Sequence, residues 1–138
     1  EWSAPLDRSF AKELGRLPGW LDLVPEAAGR EIARAGLQPG FSDRWQGISP
    51  FVTSSVLWSL YSVLRSPDDY WETICTAIAV GGDVDTTAAM AGAISGAALG
   101  LRAIPHDLAT RLTDQETWGY NDLVGLAERC HEIKAGQL

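Results

Sequence analysis

Apolar residues recur three and four positions apart along most of the chain, the spacing that places them on one face of a helix. A first helix is predicted within residues 1–16 and a second within residues 20–35. Pro25 suits a first helical turn, so the second helix is expected to start near Val24, and Gly36 is expected to end it. The apolar positions that define these helices are Trp2, Leu6, Phe10, Leu14, Leu21, Val24, Ala28, Ile32 and Ala35.

Two more helices are predicted in the middle of the chain, over residues 51–65 and 70–80. Ser66-Pro67 interrupts the apolar pattern between them, and Asp68-Asp69 offers a carboxylate to cap the second helix. The residues predicted to face the core are Val52, Val56, Ser59, Leu60 and Val63 in the first helix, with Trp58, Tyr61 and Leu64 extending that face, and Ile74, Cys75, Ala77 and Ile78 in the second.

The remaining segments continue the helical pattern, with helices predicted over residues 83–100, 104–112 and 121–135. Residues 37–50 read as an irregular loop, and loops of that length in compact domains are often functional. No segment reads as a strand, residues 113–119 read as a polar turn, and no internal repeat is visible. The chain is predicted to be all-α, a compact bundle of about six helices in a single domain over residues 1–138. The last helix should place Leu123, Leu126, Ala127, Cys130 and Ile133 on one side.

Composition narrows the classes of function. The chain is 46% hydrophobic and carries a formal net charge of −7, which fits a folded domain and argues against nucleic-acid binding, where a basic face is expected. No apolar run approaches the roughly 20 residues that cross a membrane, so no membrane partner is expected. Cys75 and Cys130 are predicted to be free thiols, buried or partly buried. With no disulfide framework, a cytoplasmic setting is expected.

Six tryptophans are many for a chain of 138 residues. Trp45, Trp58 and Trp71 are predicted to pack in the core, since large aromatic side chains dominate core packing. Trp45 lies in the long loop and is the tryptophan expected to contact a ligand.

The segment from Gly81 to Gly92 concentrates the candidate chemistry. Gly81-Gly82 suits a sharp entry into a helix, Asp83 suits its N-cap, and Asp85 and Thr86 lie in its first turn. With Asp83 outside the helix and Asp85 inside it, the two carboxylates can converge. Carboxylate and hydroxyl oxygens are ligands for Mg²⁺, Mn²⁺ or Ca²⁺.

A simpler alternative remains open for the same segment. Asp83 would only cap the helix, and Asp85 would be a solvated acid in its first turn. The flanking apolar residues favour a cation, because carboxylates in an apolar frame need a partner. Farther along this helix, Gly92, Gly96 and Gly100 lie four apart and predict a face that a neighbouring backbone can approach.

Residues 81–97 resemble the second metal motif of the ADP-ribosylglycohydrolase family, whose pattern is G-G-D-T/A-D-T followed by small residues and spaced glycines. The resemblance implies that Asp83, Asp85 and Thr86 are metal ligands in a centre of two Mg²⁺ or Mn²⁺ ions. It also implies hydrolysis of the N- or O-glycosidic bond that joins ADP-ribose to a modified protein side chain. Val84 departs from the family pattern at a position that supplies no ligand.

Two further segments resemble the same family, so that the likeness covers about residues 40 to 136. Residues 47–60 are similar to the helix that precedes the metal motif, which implies substrate-binding roles for Gly47, Ile48 and Phe51. Residues 101–105 match the family's continuation after the motif. The G-D-A-x-G and T-D-D-T motifs of the family's N-terminal half are not found in this sequence.

Because those two motifs are missing, the chain is expected to be the C-terminal half of a larger domain. It would be a fragment, a shortened chain or one part of a split enzyme. The large aromatic Trp2 near its start agrees with that expectation. The expected partners are ADP-ribose or an ADP-ribosylated protein, together with an N-terminal half or a second copy in a homodimer. No catalytic residue is identified. A non-catalytic ADP-ribose-binding or interaction module derived from the same family is the alternative function.

Overall fold

The computed structural model describes residues 8–38, 40 and 45–136. These residues form eight α-helices, a 3-10 turn and a two-stranded hairpin. The all-α prediction is confirmed, with more helices than the six or so expected and with a small hairpin where no strand was predicted. The prediction for Trp2 lies outside the described residues. The elements are α1 Arg8–Leu14, α2 Leu17–Leu21, α3 Pro25–Ile32, α4 Val52–Arg65, α5 Tyr70–Ile78, α6 Val84–Leu99, the 3-10 turn Leu101–Ala103, α7 His106–Ala109, β1 Thr113–Asp114, β2 Trp118–Gly119 and α8 Tyr120–Ala135.

Local signals located most helix ends. Pro25 is the first residue of α3, which confirms the expected start near Val24, and Trp20 belongs to the separate helix α2. Asp69 caps α5, with its carboxylate accepting the Glu72 backbone N–H at 2.9 Å. This contact confirms the capping role expected for Asp68-Asp69.

The apolar core of the first part of the chain lies between α2, α3 and α4. The Trp58 ring stacks on Tyr61 with 4.9 Å between ring centroids, and the Tyr61 hydroxyl donates to the Leu23 carbonyl oxygen at 2.9 Å. Burial raises the pKa of the Tyr61 phenol, and the nearby Arg65 partly offsets that rise. The buried residues of this core are Leu17, Trp20, Ala28, Ile32, Ala35, Ile48, Leu57, Trp58 and Tyr61.

The face that α4 buries differs from the predicted one. Val52 is 70% exposed, and the buried face combines Leu57, Trp58 and Tyr61 with small polar residues. The four buried serine hydroxyls donate to backbone carbonyls of the preceding turn, as from Ser59 to Ser55 at 2.8 Å, so burying them leaves no lost hydrogen bond. The prediction was right for Trp58, Ser59 and Tyr61 and wrong for Val52 and Leu64, whose apolar side chains are exposed. The buried hydroxyl residues of α4 are Thr53, Ser54, Ser55, Ser59 and Ser62.

Helix α6 packs against both α4 and α5. Its buried residues, Thr87, Ala91 and Ser95, recur every four positions. A side chain at Gly92 would meet the Tyr70 hydroxyl and the Ile74 Cδ1 atom. The glycine face is therefore occupied by side chains of α5, and the prediction that a neighbouring backbone approaches it was wrong.

The chain divides into two compact units, residues 1–103 and residues 104–138. In the described part of the second unit no residue is buried. Helix α8 therefore exposes the apolar side predicted for it, with Ile133 at 63%, and it also exposes Cys130, which corrects the expectation of a buried or partly buried thiol there. Cys75 is half-buried, as expected. None of the described helices combines the length and apolar content that a membrane crossing requires.

Candidate metal site

Two loop segments of the first unit pair through their backbones and define the start of α6. The Ile48 N–H donates to the Gly81 oxygen at 3.1 Å, and the Asp83 N–H donates to the Ile48 oxygen at 2.7 Å. Gly47 and Gly82 both have positive φ angles, +90° and +94°. A Cβ at Gly47 would overlap the Gly81 carbonyl, and one at Gly82 would overlap Ile48. Glycine is therefore required on both sides of this pairing.

A buried threonine anchors the first turn of α6 from the other side. The Thr87 hydroxyl lies 3.1 Å from the Asp83 carbonyl oxygen and 3.3 Å from that of Ala77 in α5. The Trp58 indole N–H donates to the same Ala77 oxygen at 2.9 Å, and the Ser59 hydroxyl donates to the Thr87 carbonyl at 3.2 Å. Sequence reasoning predicted Trp58, Ser59 and Ala77 to face the core but did not identify this role of Thr87. The only sequence signal was a second threonine directly after Thr86.

The side chains of Asp83, Asp85 and Thr86 are at least partly open to solvent at the start of α6. Asp83 occupies the N-cap position, but its side chain makes no capping hydrogen bond. The simpler alternative, in which Asp83 only caps the helix, is therefore not what the structure has. The Asp83 carboxylate is left free to bind a ligand.

The carboxyl groups of Asp83 and Asp85 lie together. The pKa of Asp85 is lowered from its ordinary value, first by a hydrogen bond with the Asp83 carboxyl and then by the backbone N–H groups of Thr86 and of Asp85 itself. These causes favour the charged form of Asp85. A divalent cation satisfies the charges of two neighbouring carboxylates at once.

The donor set fits Mg²⁺ or Mn²⁺ in type and only partly in number. Carboxylate and hydroxyl oxygens are the hard ligands such ions take, and Mg²⁺ takes about six. Across residues 8–38, 40 and 45–136, no three His, Cys, Asp or Glu side chains gather in a way that could hold a metal ion. The chain therefore offers two carboxylates and the neighbouring Thr86 hydroxyl, and further ligands have to come from water, substrate or other protein groups.

The three residues predicted to bind substrate have different surroundings. Gly47 is half-buried beside Gly81. The Ile48 side chain is fully buried in the core, so only its backbone faces the segment that leads into Asp83. Phe51 is exposed and its carbonyl accepts the Ser55 N–H. Their roles in binding substrate stay predictions.

The tryptophans divide by position. Trp58 is fully buried, as predicted, whereas Trp71 in α5 and Trp45 in the loop are about half exposed, so the core-packing prediction was wrong for both. Trp71 lies in the first turn of α5, away from that helix's buried side. The ligand contact expected of Trp45 stays a prediction, and this side chain lines a groove beside Gly47.

Comparison with protein-family models finds a match over almost the whole chain. The model described as ADP-ribosylglycohydrolase matches residues 3–137. No curated protein and no solved structure matches the chain significantly. The family match starts well before residue 40, where the motif resemblance began, so it also takes in α1, α2 and α3.

Proposed function

The chain belongs to the ADP-ribosylglycohydrolase family, and from that membership we propose that Asp83, Asp85 and Thr86 bind a divalent cation in an ADP-ribosyl hydrolase site. The observation that carries the proposal is the placement of the Asp83, Asp85 and Thr86 side chains at the solvent-open start of α6. A second observation supports the proposal, because the Asp83 side chain is not used to cap the helix. The substrate is ADP-ribose joined to a protein side chain by an N- or O-glycosidic bond.

The residues of this chain hold the site in a fixed shape. The Ile48–Gly81 and Asp83–Ile48 backbone bonds set where the chain enters α6, and the Thr87 hydroxyl ties that turn to α5. The Asp83 and Asp85 carboxylates then orient one bound Mg²⁺ or Mn²⁺. When bound, such an ion supplies a Lewis acid and a template for sugar oxygens.

The chemistry of glycoside hydrolysis explains why anionic groups belong here. The transition state of such a cleavage carries positive charge near the anomeric carbon, and carboxylates close to it favour that charge. Gly47 and Phe51 lie on the segment that leads from the paired loop into α4, and we propose that they line the sugar side of the pocket, with Ile48 contributing its backbone only.

Calorimetric titration with Mg²⁺ tests the metal proposal directly. The wild-type chain should bind Mg²⁺, and Asp83→Asn or Asp85→Asn should each weaken binding about tenfold or more, because each removes a charged ligand. Asp68→Asn is the matched control, since it makes the same chemical change at an exposed carboxylate between α4 and α5. Equal weakening in all three variants, or no binding by the wild-type chain, would contradict the proposal.

A hydrolysis assay separates the enzyme from the non-catalytic alternative. Release of ADP-ribose from modified protein should depend on Mg²⁺ and fall in the Asp83→Asn and Asp85→Asn variants. Mg²⁺-dependent binding of ADP-ribose without any release would instead favour a binding module that keeps the metal residues. The non-catalytic alternative is supported by the small number of acidic ligands that the described residues bring together.

A further inference from the structure

The second compact unit, residues 104–138, buries none of the residues that the structure describes in it. Chains below about 40 residues usually need association, or a constraint such as a disulfide, to stay folded. Cys130 of this unit is a free thiol, so it gives no such constraint. Three large apolar side chains of helix α8, Leu123, Leu126 and Ile133, are exposed. This helix therefore has an apolar surface that association would cover.

Helix α8 carries its apolar residues with the spacing of a coiled-coil seam. Leu123, Leu126, Cys130 and Ile133 follow one another at intervals of three, four and three positions, which places them along one stripe of the helix. All four side chains are exposed. A second helix with the same spacing can therefore pack along this stripe and bury it.

The charges beside the seam indicate which helix fits and in which direction it runs. Asp122 and Arg129 flank the seam on one side, and Ala127 and Lys134 flank it on the other. Flanking residues face each other across a helix pair and set its orientation. When two identical helices pair antiparallel, each flank faces its own counterpart, so Asp122 meets Arg129 of the second copy. In a parallel pair, Arg129 would face Lys134, which has the same charge.

The side chains of Asp122 and Arg129 are available for this pairing. Neither forms an ion pair with another residue in the part of the chain that the structure describes. One carboxylate oxygen of Asp122 accepts the Gly119 N–H at 2.9 Å, and its other oxygen is left for the second copy. Each contact of a two-fold symmetric dimer occurs twice, so this one residue pair supplies two ion pairs.

We propose that α8 docks antiparallel on α8 of a second copy of this chain, with Leu126 against Cys130 and Asp122 against Arg129. Stable interfaces of standard size use roughly 20–30 residues a side, so this shorter one gives a weak dimer, with a Kd on the order of 10–100 μM. The proposal goes beyond the metal site and does not depend on it, because Asp83, Asp85 and Thr86 all belong to the first unit.

Sedimentation equilibrium of the full chain, at concentrations below and above that Kd, tests the docking surface. The chain should show a monomer–dimer equilibrium, and Leu126→Lys should abolish the dimer because it places a charge in the seam. Leu64→Lys is the matched control, since it makes the same change at an exposed leucine of α4 in the first unit, and it should leave the dimer unchanged. A monomer at every concentration, or equal effects of the two substitutions, would overturn the proposal.

Charge reversal tests the orientation in the same measurement. Arg129→Glu should raise the Kd of the dimer about fivefold or more, because two attractive pairs become repulsive. Adding Asp122→Lys should restore the affinity although it removes the carboxylate that accepts the Gly119 N–H, so damage to the fold cannot explain the recovery. Tighter association of Arg129→Glu alone would mean that residue 129 faces Lys134 in a parallel pair. That result, or a double variant that fails to recover, would overturn the antiparallel arrangement.

Discussion

At the scale of single residues, two neighbouring threonines have the same side chain and opposite surroundings. Thr86 is exposed beside Asp85, whereas Thr87 is buried and its hydroxyl reaches the carbonyl oxygens of Ala77 and Asp83. Thr86 is the proposed metal ligand, whereas the Thr87 hydroxyl holds the first turn of α6 in place. Which is which depends on the direction in which α6 faces α5, since a step of one residue turns a helical side chain by about 100°.

The pair gives a direct comparison by mutation. Thr87→Val should lower the free energy of unfolding by about 1–2 kcal/mol, because the hydroxyl contacts with the Asp83 and Ala77 carbonyls are lost in a buried site. Thr86→Val should change stability by less than about 0.5 kcal/mol and should weaken Mg²⁺ binding instead. Denaturant unfolding and Mg²⁺ titration of both variants measure the two effects. Similar losses of stability in both would contradict this assignment.

Two buried serines give a second comparison. The Ser59 hydroxyl bonds to the carbonyls of Ser55 and Thr87, whereas within the described residues the buried Ser95 hydroxyl has no hydrogen-bond partner. Ser59→Ala should cost about 1 kcal/mol, and Ser95→Ala should be neutral or stabilising, because it removes a desolvated group that gains nothing in return. Thermal unfolding of both variants measures these changes in stability. A loss of stability at Ser95 as large as at Ser59 would mean that the Ser95 hydroxyl does have a hydrogen-bond partner.

At the scale of elements, the start of α6 is set by a contact between two loops that are far apart in sequence. Gly47 and Gly82 let residues 47–48 and 81–83 approach until their backbones form hydrogen bonds. Gly100, at the other end of α6, also has a positive φ, +77°, but a Cβ there would meet no atom within 4 Å. The two ends of one helix thus use glycine for different reasons.

Alanine substitutions distinguish these reasons. Gly100→Ala should cost about 1–3 kcal/mol, because φ +77° with ψ 176° is a backbone region that essentially only glycine adopts. Gly82→Ala should cost more than about 3 kcal/mol, because its Cβ also collides with the Ile48 backbone and the loops must separate. Unfolding curves give both values, and Mg²⁺ binding should fall in the Gly82 variant alone. Equal costs at the two positions would mean that the loop contact is not tight.

At the scale of the whole molecule, the contacts described at the candidate site join residues of the first compact unit. The paired loops, α4, α5 and α6 all precede Ile104, where the second unit begins. The second unit buries none of its described residues. Its exposed apolar side chains on α8, Leu123, Leu126 and Ile133, agree with the homodimer expected from the sequence, which stays a prediction.

A shortened chain that ends at Ala103 should keep the metal site. We expect it to bind Mg²⁺ with the affinity of the full chain, and to lose that binding on Asp85→Asn, because the hydrogen bonds described at the α6 start join residues of the first unit. Sedimentation of the full and the shortened chain at several concentrations measures the self-association of each in the same experiment series. Loss of Mg²⁺ binding on shortening would show that the second unit contributes to the site.

The sequence by itself determined the helical class, most helix positions, the family and the segment that carries the acidic residues. Those properties depend on local signals: apolar spacing, Pro25 at a first turn, Asp69 as a cap and a motif contained within residues 81–97. A local signal can be read without knowing what lies across the core, which is why Pro25 and Asp69 were placed correctly.

Only the tertiary structure decided which faces are buried and what holds the site together. The role of Thr87 and the Gly47–Gly82 approach depend on partners 10 or more positions away, as with Thr87 and Ala77 or Ile48 and Asp83, and the burial of the serine face of α4 depends on packing with other helices. Hydrophobic spacing predicted Val52 in the core and missed every buried serine of α4 except Ser59, because it assigns no value to hydroxyls that bond to their own helix. The groove beside Gly47 likewise needed α3 and the loop to be brought together in space.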